Sequence, residues 1–336
     1  MSSPYRGALI GFGGVARGAH LPGFRHDPAV RARLDVIAAV DPAPATSVGA
    51  DIPVLPARDA LATIGTVEFV DVCTPTATHL ATTLWALEHG YHVLCEKPVA
   101  VTREEALRIA AAAHQARRVV VPCHQYRFNP AWRQMLTWLR EDAIGHWHLA
   151  ELSVYRAAAD AGADPRDQPW RTVATEGGGI LLDHGTHLLY SLLDAAGAQA
   201  TAVRAWTGRL RHLDYGAEDT AQLVLEFPGR LATLMLTWAA PHRENRVRFI
   251  GEHGTIDWQG GVLHLDRAGH APESHDFTVQ LDKRSYAGWF SALFATFADA
   301  MDRGSDAAAI EDITRVACVL EAAYAAARTG SRVLVD

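Results

Sequence analysis

A chain of 336 residues with 49% hydrophobic and 21% charged residues is long enough for two domains with sizeable cores. Its formal net charge of −7 argues against nucleic acid or an anionic membrane surface as a partner, and no apolar run approaches a membrane span. The four cysteines (Cys73, Cys95, Cys123, Cys318) lack CxxC or CxxH spacing, and the N-terminus lacks a signal-peptide apolar core, so both are expected to belong to a reduced, cytoplasmic protein.

Gly7-Ala8-Leu9-Ile10 reads as a first strand. Gly11-Phe12-Gly13-Gly14-Val15-Ala16 follows directly and matches GxGxxA. In such a turn Gly11 permits the sharp reversal, Gly13 lets the backbone approach a pyrophosphate, and a small third residue lets helix and strand pack closely. The next helix points its amino end at the phosphates. A second strand, Leu34–Val40, ends in Asp41, an acid placed to take both ribose hydroxyls of an adenosine and to repel a 2′-phosphate. Residues 42–46 supply no Arg or Lys, so NAD is favoured over NADP, which stays open as the alternative. Asp41 lies farther from the glycines than the usual spacing of about 20 residues, and it also fits as the start of an Asp-Pro turn.

Val67–Cys73 is the next strand and runs into Thr74-Pro75-Thr76-Ala77-Thr78-His79. His79 opens a helix over Leu80–His89 and either contacts the cofactor or faces solvent. Strand Tyr91–Leu94 leads to Cys95-Glu96-Lys97-Pro98, which sets a lysine at the carboxyl end of a parallel strand, where open α/β sheets bind ligands. The Lys97-Pro98 bond is of the type that adopts cis. Lysine transfers protons when burial or neighbours lower its pKa; a solvated surface lysine is the bland alternative. A helix at Arg103–Ala116 and a strand at Val119–Pro122 complete a strand–helix alternation that predicts a doubly wound parallel sheet over residues 1–125.

Gly11-x-Gly13-x-x-Ala16, Thr74-Pro75-x-x-x-His79 and Glu96-Lys97-Pro98 together resemble the Gfo/Idh/MocA oxidoreductases. The resemblance implies that Lys97 is catalytic and that Glu96 lies by the cofactor ribose. Gln125-Tyr126-Arg127-Phe128-Asn129-Pro130 resembles the family's R-F-x-P segment and marks entry into a second domain, residues 126–336. There a helix over Ala131–Glu141 has an apolar stripe expected in a core. His146 and His148 bracket the entry to a strand ending at Tyr155, with no third metal ligand in view. Asp160–Gln168 is a polar loop, expected to be a mobile pocket wall.

Gly177-Gly178-Gly179-Ile180-Leu181-Leu182-Asp183-His184-Gly185-Thr186-His187 is the most informative stretch of this half. The glycines permit close backbone approach, and Asp183 and His187 share a face if the segment is already helical. Either alone also fits a helix cap or a core histidine. The segment resembles the family's second signature, which implies that Asp183 and His187 line the substrate pocket beside Lys97. His184 and Tyr190 depart from the commonest form of that signature and bear on which substrate is taken. Trp170-Arg171 resembles the family's W-R dipeptide, which implies a place near the nicotinamide; the resemblance also puts Arg127 among the cofactor contacts.

Strands are expected at Val203–Arg209, Thr220–Phe227, Leu231–Trp238, Arg246–Gly251, Gly254–Trp258 and Val262–Asp266, with His270–His275 a loop. The meander predicts an α+β second domain with an open, mostly antiparallel sheet, whose free face suits a homodimer or homotetramer. An aromatic stripe at Trp289–Phe297, a helix at Ile310–Ala327 and a last strand at Ser331–Val335 close the chain. The reading is an NAD-dependent oxidoreductase that moves hydride between the nicotinamide and a secondary alcohol or ketone of a sugar, cyclitol or sugar derivative, Lys97 exchanging the proton. The alternatives are NAD-dependent glycoside hydrolysis by transient oxidation and elimination, and a non-enzymatic dinucleotide-binding regulator.

Overall fold

A computed structural model describes residues 3–43, 51–159, 170–281 and 286–336. They form two compact units: residues 3–125 with 286–314, and residues 126–159, 170–281 and 315–336. The expected loop at Asp160–Gln168 lies outside the described residues.

In the first unit β1 (Tyr5–Ile10), β2 (Leu34–Val40), β3 (Val54–Leu55), β4 (Phe69–Val72), β5 (His92–Cys95) and β6 (Val120–Pro122) form one sheet in the order β3-β2-β1-β4-β5-β6. All its pairings are parallel. Strand order reverses between β1 and β4, which opens a crevice at their carboxyl ends. Helices α1 (Leu21–His26), α2 (Pro28–Arg31), α3 (His79–Glu88) and α4 (Arg103–Ala116) fill the crossovers. The strands are near-continuous apolar runs because both faces are covered: Ala8, Leu9, Phe69, Val70, Val72, Val93 and Leu94 are fully buried. The two-residue β3 and short α2 carry too few residues for periodicity to reveal.

His92 on β5 accepts the Val119 N–H at 3.2 Å, a bond that needs a neutral ring. Burial, then the nearby Arg118 charge, lowers its pKa to about 4. The unfolded ring titrates near ~6.5, so the unfolded chain takes up a proton first. Stability is therefore full above pH ~6.5 and falls as pH drops toward the folded value. His92→Gln is expected to flatten this part of the melting temperature's pH dependence; a profile that keeps its wild-type slope between those limits would count against the assignment.

The second unit opens on α5 (Pro130–Arg140). Asn129 caps it, its Oδ1 accepting from Ala131 N–H at 2.9 Å and Trp132 N–H at 3.3 Å. Then come β7 (Trp147–Tyr155), α6 (Thr186–Ala196), β8 (Ala202–Gly208), β9 (Thr220–Phe227), β10 (Arg230–Thr237), β11 (Glu244–Gly251), β12 (Gly254–Gln259), β13 (Val262–Arg267) and β14 (Glu273–Asp276). β14 corrects the expected loop at His270–His275. Its Glu-Ser-His-Asp sequence carries no apolar alternation because it is an edge strand, paired only with β13.

Helix α7 (Tyr286–Arg303) belongs to the first unit. Phe294 stacks on Phe24 at 3.8 Å, Phe297 meets Phe69 edge-on at 5.6 Å, and Ser291 Oγ donates to Gly23 O at 2.6 Å. Trp289, Phe290, Leu293, Phe294 and Phe297 are all buried, as the stripe predicted. Helix α8 (Ala307–Thr329) starts in the first unit, where Asp312 takes a 2.7 Å bond with His124, and ends in the second, where Tyr324 Oη donates to Glu218 at 2.9 Å. β15 (Val333–Leu334) pairs with β8, completing a nine-stranded sheet in the order β14-β13-β12-β11-β7-β10-β9-β8-β15. Only β7 and β10 run parallel; the other pairs are antiparallel. On β10 Ala232, Leu234 and Leu236 are fully buried while Leu231, out of phase with them, is 37% exposed, so one face is covered and the other open. All four cysteines are buried, and none is in a disulfide. No described helix is long and apolar enough to cross a membrane.

Candidate active site

In the first unit the Gly11 loop leaves β1 at φ +87°, and a Cβ on Gly11 would lie 2.9 Å from the Cys73 carbonyl. Only glycine satisfies both constraints. Helical backbone begins at Gly14, with Val15 in its first turn and Ala16 fully buried against the sheet. A π turn over Ala16–His20 follows, closed by Leu21 N–H bonding to Ala16 O. Asp41 sits at the end of β2, where its carboxylate accepts Phe12 N–H at 2.8 Å and Ala43 N–H at 2.8 Å. It therefore braces the glycine loop from the strand beside it.

Thr74-Pro75 leaves the carboxyl end of β4, and Lys97 that of β5, so the Gly11, Thr74 and Lys97 turns lie side by side on neighbouring strands. His79 is only 2% exposed, and its ring nitrogens lie 2.8 Å from Thr74 O and 2.8 Å from Pro98 O. This overturns the solvent-facing alternative. Both carbonyls only accept, and burial lowers the ring's pKa, so the neutral ring donates its one N–H to one of the two turns and packs against the other. The Lys97-Pro98 bond is cis, and Lys97 is 9% exposed.

Glu96 Oε2 accepts the Lys97 N–H at 3.1 Å, and Oε1 lies 2.9 Å from His20 Nε2. His20 Nδ1 is 2.7 Å from Asp71 Oδ2. The carboxylate expected beside a ribose is thus turned inward onto a buried ion-pair chain. Burial raises the Glu96 pKa, but the His20 hydrogen bond and charge, with Lys97, outweigh it and hold it below the usual carboxylate range. Sequence reasoning missed His20 and Asp71. A signal was present: an aspartate inside the apolar run Phe69–Cys73 must find a partner when the strand is buried.

In the second unit Gly178 decides the local geometry. A Cβ there would lie 2.5 Å from Arg171 O and 2.6 Å from Trp170 O, and Gly179 N–H donates to Arg171 O at 2.8 Å. The glycine run is therefore the seat of the Trp170-Arg171 segment. The Arg171 guanidinium lies over the Trp170 ring at 4.6 Å, and its Nε donates to Asp183 Oδ2 at 3.2 Å. Asp183 is third in a π turn over Leu181–Gly185 that runs into α6, so it does not cap that helix; His184 Nδ1 is 3.2 Å from its Oδ2.

His187 is buried, stacked on Tyr126 at 4.2 Å, with Nδ1 3.0 Å from Tyr190 Oη, which accepts the Tyr126 N–H at 3.1 Å. Tyr190 thus fills the position beside His187. Tyr126, Arg156, His184, His187, Asn245 and Trp258 border a recess of about 510 Å³, part of it open to solvent. Arg127, expected at the cofactor, forms a two-pronged ion pair with Asp194, Nε at 2.6 Å and Nη2 at 2.8 Å.

The first unit fits a dinucleotide on its own terms: a cradle that a Cβ at Gly11 would fill, a helix opening at Gly14, and an acid at the end of β2. That defines a dinucleotide-binding α/β domain joined to an α+β domain. Two family models match these parts: an oxidoreductase family with an NAD-binding Rossmann fold over residues 5–124, and a GFO/IDH/MocA C-terminal domain over residues 132–257. The chain belongs to the Gfo/Idh/MocA oxidoreductase family, and its first unit is an NAD-binding Rossmann domain.

A 1,5-anhydro-D-fructose reductase of Ensifer adhaerens is 35% identical over 157 residues, 46% of this chain and 45% of the relative. A D-glucoside 3-dehydrogenase of Escherichia coli is 29% identical over 204 residues, 59% of this chain and 56% of the relative. The chain thus spans about half the length of these curated relatives. A solved oxidoreductase from Agrobacterium radiobacter, in complex with NAD+ and L-tartaric acid, superposes with a TM-score of 0.83 at 20% identity, covering 99% of both chains, and shares the fold.

Proposed function

We propose that this protein is an NAD-dependent dehydrogenase or reductase acting on a secondary alcohol or ketone of a sugar, cyclitol or sugar derivative. The observation that carries the reading is the shared carboxyl edge of β1, β4 and β5, where the glycine cradle, the Thr74-Pro75 turn and the buried Lys97 lie on neighbouring strands. Bound NAD supplies the hydride acceptor, or NADH the donor. Asp41 holds the adenosine ribose, and the turns at Gly11–Ala16 and Thr74-Pro75 bind the rest, with Glu96 buttressing Lys97 and Trp170-Arg171 serving the nicotinamide end. Lys97 Nζ takes the hydroxyl proton on oxidation and returns it on reduction. Asp183 and His187 orient that hydroxyl. Aromatic rings with a few polar groups, as in the recess beside His187, suit a polyhydroxylated ring with apolar faces. The names of the reductase and glucoside dehydrogenase relatives support a sugar-type substrate.

The test is tryptophan fluorescence titrated with NADH and NADPH, followed by an NAD-linked screen of sugars and cyclitols. Tighter NADH binding and NADH formed in step with product are expected. Glycoside cleavage without accumulating NADH would replace this reading with the hydrolytic one, and no binding of either nucleotide would remove it.

We also propose that the open sheet face joins copies of the chain into a homodimer or homotetramer. Leu149 and Leu231, paired in register on β7 and β10, are 40% and 37% exposed, and a lone domain gains nothing from leaving them open. Leu149→Lys is expected to shift the sedimentation coefficient to that of a monomer. An unchanged coefficient, or a monomeric wild type, would reject the interface.

A further inference from the structure

We propose that His20 is a permanently charged bridge between Asp71 and Glu96, and that it is a positioning residue for Lys97. The ring is fully buried, with a carboxylate oxygen 2.7 Å from one nitrogen and 2.9 Å from the other. Ionised carboxylates only accept, and a neutral imidazole has one N–H. One shared proton must therefore sit either on the ring or on a carboxyl. The net charge is the same in both cases, so the proton goes to the stronger base; imidazole exceeds a carboxylate by about two pKa units. Burial opposes the charge, but the Asp71 charge and hydrogen bond outweigh it and hold the ring well above its ordinary value.

The surroundings agree. From β4 the ring meets Asp71 and the Cys73 thiol, 3.4 Å from Nδ1, which burial and Asp71 keep protonated up to about 12. From the end of β5 it meets Glu96, with Lys97 beyond. Cys123 follows β6 nearby, and its thiol is also pushed up by burial. α7 sets the Phe290 and Phe294 rings beside His20, tilted, at 4.6 and 5.7 Å, while the charged groups of that helix are engaged elsewhere, Asp299 and Asp302 with Arg33 and Arg303 with Asp306. On its own helical run the charged or titratable groups are Arg17, Arg25 and His26.

The bridge fixes Glu96 at both ends: Oε1 on His20 and Oε2 on the Lys97 N–H. It also alternates sign along Asp71, His20, Glu96 and Lys97. Removing the His20 charge raises the combined proton affinity of the Glu96–Lys97 pair, whichever member takes the proton. This part rests on Lys97 being the proton-exchanging residue proposed above.

Full-length protein labelled with 15N-histidine tests the bridge directly. Near pH ~9, where ordinary histidines are neutral, one ring is expected to keep both nitrogens protonated, identified by its loss in His20→Gln or, should that variant fail to fold, by its shift in Asp71→Asn. A His20 ring with a single proton at that pH overturns the proposal, whatever Lys97 does. The second readout is the pH profile of kcat/KM in the oxidation direction. His20→Gln is expected to lower kcat about 10-fold and move the acid limb up by about one pH unit. His20→Gln with Asp71→Asn, which removes a neutral pair of charges, is expected to move the limb back toward the wild type. Lower kcat with an unmoved limb would reduce His20 to a space-filling role. A Lys97→Met variant with normal turnover would reject the lysine assignment while leaving the NMR result standing.

Discussion

Lys97→Met is expected to lower turnover by about 100-fold or more while NADH still quenches tryptophan fluorescence with wild-type affinity. The separation follows from where the residue sits. Its backbone N–H is held by Glu96, and its side chain leaves the end of β5 only 9% exposed. The parts proposed to grip the dinucleotide, Gly11–Ala16 and Asp41, brace one another through the Phe12–Asp41 bond and need nothing from the lysine side chain. Methionine keeps the length and apolar stem of lysine, so the strand end stays packed. What is lost is a group that can take or return a proton at the hydroxyl. Such a group contributes about 10²–10⁴-fold, which sets the expected size of the defect. Near-normal turnover in Lys97→Met would place the proton elsewhere and remove the lysine from the mechanism.

Gly178→Ala is expected to damage stability and activity together. Its new methyl would lie 2.5 and 2.6 Å from two backbone carbonyl oxygens, and backbone cannot swing aside as a side-chain tip does. The Trp170-Arg171 segment must move or the glycine run must unseat. Overpacking of this kind costs about 1–3 kcal/mol. The same movement draws Arg171 from Asp183, whose contact is already 3.2 Å, so kcat/KM is expected to fall about 10-fold or more. Gly197→Ala is the control: Gly197 has positive φ, at +59°, where Gly178 has none, yet nothing lies within 4 Å of its Cβ, so only backbone strain is added there. Urea midpoints and kcat/KM for the two variants separate the effects. If Gly178→Ala behaves like Gly197→Ala, the close seat is not what the glycine run provides.

Much of this was legible because it is local. The apolar runs between residues 7 and 122 could only be strands buried on both faces, and the turn chemistry at Gly11 needs no partner far away in sequence. Asp183 and His187 were visible as a motif. What stayed hidden depends on contacts between distant residues. Phe24 and Phe294 stack across 270 positions, so no window of sequence shows that α7 belongs with the first unit. His20 was invisible for the same reason: its partners come from two other strands, and alone it is one polar residue on a helix. The partners of Arg127 and His79 were hidden in a related way. Asp194 engages the guanidinium, and the ring lies between the carbonyls of Thr74 and Pro98, contacts that no local pattern shows.

The two π turns share a property that residue identity does not express. Each is closed by an N–H reaching back five residues, Leu21 to Ala16 and Thr186 to Leu181, where an α-helix reaches back four. Each therefore holds one residue more than regular winding needs, and each lies within a few residues of a buried acid–base group, His20 in one and Asp183 in the other. Deleting a single residue from either turn would restore ordinary helical bonding locally. The flanks would keep their phase, but the residues of the turn itself would move by one place. His20 would leave its carboxylates, and Asp183 would leave Arg171. At these two places the position of the acid–base group depends on the length of the turn as well as on the side chain.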